Sequence, residues 1–405
     1  MVLTNKQEQG LKIALERYKN KEKYTCISGF AGTGKSTLIK FIISAMGISN
    51  DEVRYVAYTG KAANVLKNKG CPGAMTAHKL LYYSKMLPNG KYIFKPRPPV
   101  VVDQEGIKVV VVDEISMLPK PMWDLLCSHH FYILVCGDPE QLPPVPDQNS
   151  KDDPNNHVLD HPHIFLDEIM RQAQESEIIR LSMHIRQGKP LMTFPVADEQ
   201  VKIIKRNELT VPMLRWADQV LCATNTTRNL INSQIRESYG FDPNMPQVGD
   251  KVINLHNEWG ILSNHENPLT NGVIGTIKEL NVSTIDYPFW LRHETLSVPV
   301  INANISGDEE NEEFSSIIFD KNEILTGTPS LRGNEEYTIK KRLEEPIPLH
   351  FNFGYAITVW KSQGSEWDKV LLFQEANWPR HPEDRRKFMY TGITRAVDRL
   401  VVVGN

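Results

Sequence analysis

The sequence predicts an α/β protein with two parallel sheets, a hairpin inserted into the first unit and a β-rich domain inserted into the second. Three observations lead to this prediction. Apolar segments alternate with helical ones, a Gly-rich turn follows the first apolar segment, and the alternation stops between residues 246 and 350. Uninterrupted apolar strands between helices are typical of parallel sheets covered on both faces. A chain of 405 residues has room for roughly two to four domains.

The two α/β units are predicted from short apolar strands, each followed by a helical stretch. In the first unit, the predicted strands cover residues 24–28, 53–58, 107–112 and 132–136, and the helices cover residues 35–46, 61–69 and 121–128. In the second unit, the strands cover residues 219–223, 355–359, 370–373 and 400–403, and the helices cover residues 226–239 and 383–395. We therefore place the first unit at residues 1–165 and the second at residues 166–245 and 351–405.

Residues 246–350 are predicted to form a small β domain, because this stretch has turn signals and alternating strands but little helix. It contains 8 Lys and Arg against 17 Asp and Glu, whereas the rest of the chain contains 38 and 32. The net charge of −3 therefore hides a mildly basic α/β part and an acidic insert. It excludes a protein that coats nucleic acid by bulk positive charge, but it leaves room for a local basic track.

The N-terminal segment is too polar for a signal peptide, and the longest apolar runs are too short to span a bilayer. The cysteines are odd in number and form no C-x-x-C pair, so we expect reduced thiols rather than disulfides or a zinc site. They are Cys26, Cys71, Cys127, Cys136 and Cys222. We expect a cytoplasmic protein, in the nucleoid or in a phage-infected host cell, without a membrane partner.

A phosphate-binding loop is the strongest local signal. Residues 29–36 fit G-x-x-x-x-G-K-[ST] between a predicted strand and a predicted helix. The backbone N–H groups of such a loop and the helix N-terminus bind phosphates. Lys35 is expected to reach the β- and γ-phosphates of ATP, and Ser36 to bind Mg²⁺. The predicted phosphate-binding residues are Gly29, Ala31, Gly32, Thr33, Gly34, Lys35, Ser36 and Thr37.

Polar residues follow the next two buried strands of the first unit. Asp113 and Glu114 come directly after an all-valine strand. Asp113 is a candidate ligand of Mg²⁺, and Glu114 is a candidate base that polarises the attacking water. Gln141 follows one strand later in a Gly-Asp-Pro turn, where its amide can sense a γ-phosphate. Together with the phosphate-binding loop, these residues predict an ATP-hydrolysing site.

In this order, the motifs resemble those of superfamily 1 helicases of the RecD/Dda branch, and the resemblance covers nearly the whole chain. It implies two RecA-like P-loop NTPase motor domains. The segment 3–7 resembles the glutamine motif that contacts adenine, which assigns that role to Gln7. The segments 59–63 and 76–81 resemble two DNA-gripping motifs, which implies DNA contacts for Thr59, Thr76 and His78.

The second unit carries three further segments that resemble motifs of this family. The segment 168–172 implies that Arg171 reaches the γ-phosphate, and the segment 390–396 implies that Arg395 is a second arginine finger. Such fingers contribute a factor of about 10³–10⁵ to the rate of related NTPases. The segment 355–366 resembles a motif that contacts both DNA and the nucleotide. It implies DNA contacts for Thr358 and Lys361, and an ATP contact for Glu366.

The chain departs from the family pattern at two positions. Trp360 stands where the family often has His, and Tyr58 stands where it often has Pro. Both departures concern the expected DNA contacts, not the ATPase residues.

Residues 79–102 form a local basic track without Asp or Glu. Its Asn-Gly dipeptide at 89–90 favours a tight hairpin turn, so we predict an inserted β-hairpin within residues 83–105. Lysines can bind phosphates and aromatic side chains can stack on bases, which makes Tyr92 and Phe94 candidates for DNA contact at a fork. A pin that separates strands is one interpretation, and an ordinary solvated hairpin is the other. The resemblance favours the pin.

The insert at 246–350 resembles a small β-barrel that this helicase branch carries in its second motor domain. The resemblance implies a DNA clamp or a brace for the pin. A stabilising β domain without either role stays open, as does the placement of its aromatic residues in a core or towards DNA. They are Trp259, Phe289 and Trp290.

The leading hypothesis is an ATP-dependent DNA helicase that uses Mg²⁺, binds single-stranded DNA and forks, and acts in replication, recombination or repair. The resemblance implies 5′-to-3′ movement. A translocase that strips proteins from single strands without unwinding is a second hypothesis, and a non-motor ATP-binding switch is a third. We expect a monomer, with a single-strand-binding or replication protein as a candidate partner.

Overall fold

The fold is taken from a computed structural model. It describes residues 3–71, 73–86, 92–143, 155–170, 175–265, 268–289, 294–307, 311–340, 345–375 and 378–404. Within these ranges, no helix combines the length and the apolar character that crossing a bilayer requires.

The first parallel sheet confirms the predicted α/β unit. Its strands are β1 (Tyr24–Gly29), β2 (Val53–Ala57), β3 (Met75–Thr76), β6 (Val109–Val112), β7 (Tyr132–Gly137) and β8 (Ile164–Leu166). They lie in the order β3-β2-β6-β7-β1-β8, and every neighbouring pair is parallel. The carboxyl ends of β1 and β6 therefore meet one edge of the sheet, separated only by β7.

Helices cover both faces of this sheet. They are α1 (Asn5–Lys19), α2 (Lys35–Ala45), α3 (Gly60–Asn68), α4 (Ala77–Leu81), α5 (Pro99–Asp103) and α6 (Lys120–Cys127). Val109 and Val111 pack into one buried layer, and Val110 and Val112 pack into the other. Each such side chain contributes about 1.5–3 kcal/mol when it is fully buried. This double burial explains why the strand has no polar position.

The second parallel sheet forms the second α/β unit. Its strands are β9 (Val201–Lys205), β10 (Gln219–Cys222), β18 (Ala356–Thr358), β19 (Trp367–Phe373) and β20 (Ala396–Gly404), in the order β18-β10-β19-β20-β9. Its helices are α7 (Glu177–Arg186), α8 (Val211–Trp216), α9 (Asn225–Ser238) and α12 (Pro382–Ile393). The edge strand β9 is absent from the sequence prediction, because lysines at 202 and 205 interrupt its apolar residues.

A β-hairpin projects from the chain between α4 and α5. Strands β4 (Tyr82–Met86) and β5 (Tyr92–Pro96) pair antiparallel, with Tyr82 opposite Pro96 and Met86 opposite Tyr92. The predicted turn at 89–90 lies outside the described residues. Short helix α5 follows the hairpin within the predicted insert at 83–105.

The insert contains a five-stranded antiparallel sheet in the order β16-β15-β14-β11-β17. These strands are β11 (Lys251–Asn254), β14 (Ile274–Phe289), β15 (Glu294–Gly307), β16 (Glu313–Asp320) and β17 (Phe351–Phe353). A separate pair is β12 (Glu258–Leu262) with β13 (Pro268–Leu269), and two short helices are α10 (Lys321–Thr326) and α11 (Gly333–Thr338). A bridge between Phe319 and Leu349 brings β16 close to the start of β17. The antiparallel sheet extends to residue 353, three residues past the predicted boundary.

A buried ion pair joins the insert to the second α/β unit. Arg236 on α9 donates two hydrogen bonds to the carboxylate of Asp250, at 2.8 and 3.1 Å. The Tyr355 hydroxyl donates to the same carboxylate at 3.1 Å, and Arg236 also donates to the carbonyl of Met245 at 2.6 Å. Because these polar atoms satisfy one another, removing either charge leaves its partner buried and costs several kcal/mol, about 3–5.

Candidate functional site

The phosphate-binding loop connects the end of β1 to the start of α2. Gly32 and Gly34 have φ angles of 76° and 78°, a left-handed conformation that glycine adopts without a steric penalty. The ammonium group of Lys35 donates to the carbonyl oxygens of Gly29 at 2.7 Å and Phe30 at 3.0 Å. The predicted phosphate-binding residues from Gly29 to Thr37 thus occupy the loop after β1 and the first turn of α2.

Gln7 lies against this loop. Its side chain is buried, and its amide nitrogen donates to the carbonyl of Thr33 at 3.3 Å. Its amide oxygen accepts from the backbone N–H of Thr4 at 3.1 Å, completing a capping box at the start of α1. This cap fixes the side chain beside Gly34, where an added Cβ would approach the Gln7 nitrogen to 2.6 Å. The contact with adenine stays a prediction.

The two predicted carboxylates lie where β6 ends. The Asp113 carboxylate accepts from the backbone N–H of Glu114 and from the thiol of Cys136, both at 3.0 Å. Glu114 has a φ of 52°, which is strained for a residue with a side chain. Burial raises the pKa of the Glu114 carboxyl, and the positive charge of Arg395 opposes that rise. A carboxylate with a raised pKa suits the role of a general base.

Gln141 and Arg395 complete the cluster around Glu114. The Gln141 amide donates to the Glu114 carboxylate at 3.4 Å. Arg395 is 3% exposed, and its guanidinium donates to the carbonyls of Thr391 at 3.1 Å and Ser365 at 3.3 Å. Arg395 follows α12 of the second motor domain, whereas Glu114 belongs to the first. The site is therefore composed of residues from both domains.

The loop that carries Gln141 is held by the second domain. The backbone of Leu142 accepts from the Gln363 amide at 2.6 Å, and its N–H donates to the Thr391 hydroxyl at 3.0 Å. Arg386 forms an ion pair with Glu140 at 2.9 Å. These contacts connect the sensor loop, residues 138–142, to α12.

Two residues that sequence reasoning missed contact the phosphate-binding loop from the second domain. The Tyr390 hydroxyl accepts from the backbone N–H of Ala31 at 2.9 Å and donates to Asp138 at 2.5 Å. The Arg186 guanidinium lies 3.4 Å from the centre of the Phe30 ring. The only available signal for Tyr390 was its place at the start of the segment 390–396.

Three of the predicted DNA-contacting residues, Thr76, His78 and Phe94, border one cavity of about 480 Å³. Thr76 and His78 lie on its wall with Tyr82 and Phe94 from the hairpin. The His78 ring centre lies 5.6 Å from Phe94 and 5.9 Å from Tyr82. Burial lowers the pKa of His78 to about 4, so the ring is neutral at neutral pH. Thr270 and other insert residues form the opposite wall.

Thr59 and Thr76 share a structural role. Each hydroxyl caps a helix, since Thr59 accepts from Ala62 N–H at 3.1 Å and Thr76 accepts from Lys79 N–H at 3.2 Å. A hydroxyl that accepts in this way still has a proton to donate to a phosphate.

In the second domain, Thr358 ends β18 and precedes a short 3₁₀ turn that contains Lys361. Burial, with a smaller effect from the positive charge of Arg228, lowers the pKa of Lys361 to about 8. Trp360 packs against Phe388 with ring centres 5.7 Å apart, which places this departure from the family pattern in the core of the second domain.

The remaining predicted site residues are Arg171, Tyr92 and Glu366. Arg171 lies outside the described residues, and so does the side chain of Tyr92. Glu366 forms an ion pair with Lys69, at 3.0 and 3.1 Å, on the exposed side of α3. Its contact with ATP stays a prediction.

Comparisons with known proteins place the chain in a family. A family model described as an AAA domain matches residues 3–208, and a model described as a UvrD-like helicase C-terminal domain matches residues 353–403. The unmatched stretch between them contains the insert.

Three relatives differ in how much of each chain is matched. The uncharacterized protein R530 of Acanthamoeba polyphaga mimivirus is 24% identical over 94% of this chain and 95% of its own. The ATP-dependent RecD2 DNA helicase of Deinococcus radiodurans is 25% identical over 94% of this chain and 46% of its own. The ATP-dependent DNA helicase dda of Enterobacteria phage T4 is 30% identical over 36% of this chain and 34% of its own. This chain thus matches less than half of either named helicase.

Solved structures share the fold. The Pif1 helicase of Bacteroides bound to single-stranded DNA has a TM-score of 0.53 and 18% identity, covering 99% of this chain and 92% of that one. The Bacteroides Pif1 complex with ADP-AlF3 and single-stranded DNA has a TM-score of 0.52 and 17% identity, covering 100% and 92%. This likeness shows a shared fold, and the family models with the sequence relatives confirm the predicted family. The chain belongs to the superfamily 1 helicases of the RecD and Dda type, a family of DNA-dependent ATPases.

Proposed function

We propose that this chain is an ATP-dependent DNA helicase that moves 5′-to-3′ along single-stranded DNA and separates duplex DNA at the β4–β5 hairpin. One observation carries the proposal. The charge of Arg395, from the second domain, acts on Glu114 of the first domain beside the phosphate-binding loop. A site shared in this way makes hydrolysis depend on how the two domains meet. Hydrolysis can then drive relative motion of the domains.

In the proposed site, ATP lies on the loop at residues 29–36, with Lys35 at its β- and γ-phosphates. Ser36 and Asp113 would hold Mg²⁺, whose preference is for hard oxygen ligands with retained water and substrate phosphates. Among the described residues, no group of three or more His, Cys, Asp or Glu forms a separate metal site. The Mg²⁺ would neutralise the phosphate charge of the nucleotide.

The proposed chemistry uses groups that already contact one another. Glu114 orients the attacking water, and Gln141 donates to Glu114. Arg395 stabilises the charge that spreads over the γ-phosphoryl oxygens in the transition state. We assign the same role to Arg171.

The proposed DNA path runs through the cavity between the DNA-gripping segments of the first domain, the base of the hairpin and the insert. Its walls combine aromatic rings, which can stack on bases, with Lys67, Lys79 and Arg97, which can bind phosphates. Thr358 and Lys361 extend this path into the second domain. Few phosphate contacts suit a motor that must release DNA in every cycle.

We assign the domains as a first motor at residues 1–165 with the pin at 83–105, a second motor at 166–245 and 351–405, and an insert at 246–350. Since Gly60 of α3 lies directly against Thr270, the insert is placed to brace the DNA-gripping helix. We further propose a cytoplasmic monomer that acts on single-stranded DNA and forks, with a single-strand-binding or replication protein as its partner.

The decisive experiment measures unwinding of duplexes that carry a 5′ or a 3′ single-stranded tail, with ATP and with the Lys35→Ala variant as control. We expect strand separation only with the 5′ tail and only with wild-type protein. Activity restricted to the 3′ tail would overturn the polarity. ATP hydrolysis that single-stranded DNA stimulates, without strand separation, would instead support a translocase. ATP hydrolysis at the same rate with and without DNA would support a non-motor ATPase.

A further inference from the structure

Tyr390 is a fully buried side chain on α12 that contacts the first motor domain at two points. Its hydroxyl oxygen accepts a hydrogen bond from the backbone N–H of Ala31, 2.9 Å away in the phosphate-binding loop. Its hydroxyl hydrogen is donated to the carboxylate of Asp138, 2.5 Å away at the start of the sensor loop. One oxygen atom thus bridges two loops that belong to the other domain.

The bridge requires a group that accepts and donates at once. A phenol does both, whereas phenylalanine does neither and fills nearly the same volume. Burial and the charge of Asp138 raise the pKa of Tyr390 well above its usual value, so the hydroxyl keeps the proton that it donates. Asp138 is itself 1% exposed, and its other carboxylate oxygen accepts from the backbone N–H of Glu140 at 3.0 Å.

The contacts continue to the reacting centre. The carbonyl of Asp138 accepts from the backbone N–H of Gln141 at 3.2 Å. The side-chain amide of Gln141 donates to the carboxylate of Glu114 at 3.4 Å. A displacement of Asp138 would therefore move the amide that orients Glu114, and a change of about 1 Å at such a group can cost a factor of about 100 in rate.

We propose that Tyr390 is a positioning residue for ATP hydrolysis: it relays the position of α12 in the second domain to the phosphate-binding loop through Ala31 and to Gln141 and Glu114 through Asp138. This role deepens the proposed function and rests on it. Tyr390 acts through these neighbours and takes no part in bond making. Since α12 also precedes Arg395, the relay moves together with the arginine finger.

The test compares Tyr390→Phe with the wild-type full chain in steady-state ATP hydrolysis. We expect kcat to fall about 10- to 100-fold, the range for a misplaced catalytic group. The KM for ATP should stay within about threefold, because the ground-state phosphate contacts remain. The matched control is Tyr132→Phe, which also removes a buried tyrosine hydrogen bond, at 2.6 Å to Thr25, but in the sheet of the first domain. Its kcat should match that of the wild type.

Two variants of Asp138 test the same relay from the first domain. Asp138→Ala should lower kcat as much as Tyr390→Phe, and Asp138→Asn should lower it less, because the Asn oxygen still accepts from Tyr390. The double variant Tyr390→Phe with Asp138→Ala should be no slower than either single variant, as expected for residues that act as one unit. If Tyr390→Phe fails to fold, the Asp138 variants still decide the question.

Three results would overturn the relay. They are a wild-type kcat for Tyr390→Phe, an equal fall in kcat for Tyr132→Phe, or a fall in kcat for the double variant that equals the product of the two single falls. The comparison uses hydrolysis without DNA, so its outcome is separate from that of the proposed function. Wild-type hydrolysis that does not respond to DNA would remove the motor proposal and leave the relay test valid.

Discussion

The cleft around Glu114 and the cavity around His78 both border the first domain, but different kinds of contact hold them together. In the cleft, the contacts across the domains are directional hydrogen bonds, such as those of Tyr390 to Ala31 and of Gln363 to Leu142. In the cavity, aromatic rings pack 5.6–5.9 Å apart around His78, and the opposite wall belongs to the insert.

This difference predicts which substitutions will change the reaction rate strongly and which will change it only slightly. Loss of one donor in a buried polar network leaves its partner unsatisfied and disturbs the geometry of the whole network. Loss of one ring from an aromatic wall removes only part of the contact area, because the neighbouring rings still provide the rest. We therefore expect single substitutions in the cleft to change rates far more than single substitutions in the cavity.

The largest effect is expected for Arg395→Ala. Without the guanidinium, kcat for ATP should fall about 1,000-fold or more, because such a finger contributes about 10³–10⁵ in related enzymes. Affinity for single-stranded DNA should change little, since Arg395 is buried in the cleft. Steady-state hydrolysis and fluorescence-based DNA binding provide the two measurements.

The matched control for this variant is Arg399→Ala. Arg399 is half exposed on β20 and lies 3.7 Å from Asp398. Surface ion pairs of this kind are worth little, about 0–1 kcal/mol, so hydrolysis should be unchanged. Equal losses in the two variants would show that the finger assignment is wrong.

A smaller effect is expected for Phe94→Ala, which removes one ring from the cavity wall at the base of the hairpin. Stacking of a base on an aromatic ring is worth about 1–3 kcal/mol, so the rate of unwinding should fall about tenfold. Hydrolysis on single-stranded DNA should remain within about twofold, because the cleft is untouched. Gel-based unwinding and hydrolysis assays measure the two rates.

The control here is Phe94→Leu, which keeps an apolar side chain but has no aromatic face. If stacking matters, Leu should be nearly as slow as Ala. Full unwinding by the Ala variant would favour the ordinary solvated hairpin over the pin.

The smallest effect concerns the charge of Lys361. Its pKa of about 8 lies below that of an exposed lysine, so the ammonium loses its proton as the pH rises through 8. Arg228 lowers this pKa, and Glu323 opposes that effect. Single-stranded DNA affinity should therefore fall about threefold between pH 7 and pH 9, as one phosphate contact is lost. Fluorescence anisotropy at constant salt measures it.

Lys361→Arg provides the comparison for this pH dependence, because a guanidinium stays charged over the whole range. The variant should bind with nearly constant affinity from pH 7 to pH 9. A wild-type affinity that is flat with pH would remove Lys361 from the DNA contacts.

Local patterns were sufficient to predict much of the fold and of the site. The valines of β6 predicted a strand buried on both faces, and the spacing of Lys35 and Ser36 after Gly29 predicted the phosphate-binding loop. Both features depend on neighbours in sequence. Tyr390 was missed because its partner Ala31 lies 359 residues away, and no spacing rule connects them.

Other features depended on tertiary contacts that sequence does not display. The edge strand β9 lacks an apolar run, and it is fixed by pairing with β20. The capping hydroxyls of Thr59 and Thr76 serve their own helices, which motif matching alone does not reveal. Trp360 is similar: its packing on Phe388 follows from where α12 lies, not from the motif in which it occurs.

The glycine at position 60 has a further consequence for the cavity that it lines. A methyl group at this position would collide with the side chain of Thr270, so α3 and the insert approach each other only because Gly60 has no side chain. Gly364 makes a similar approach to α3 from the second motor domain, where an added Cβ would lie 2.8 Å from that of Ala62. Two missing methyl groups thus determine how closely the insert and the second domain approach α3.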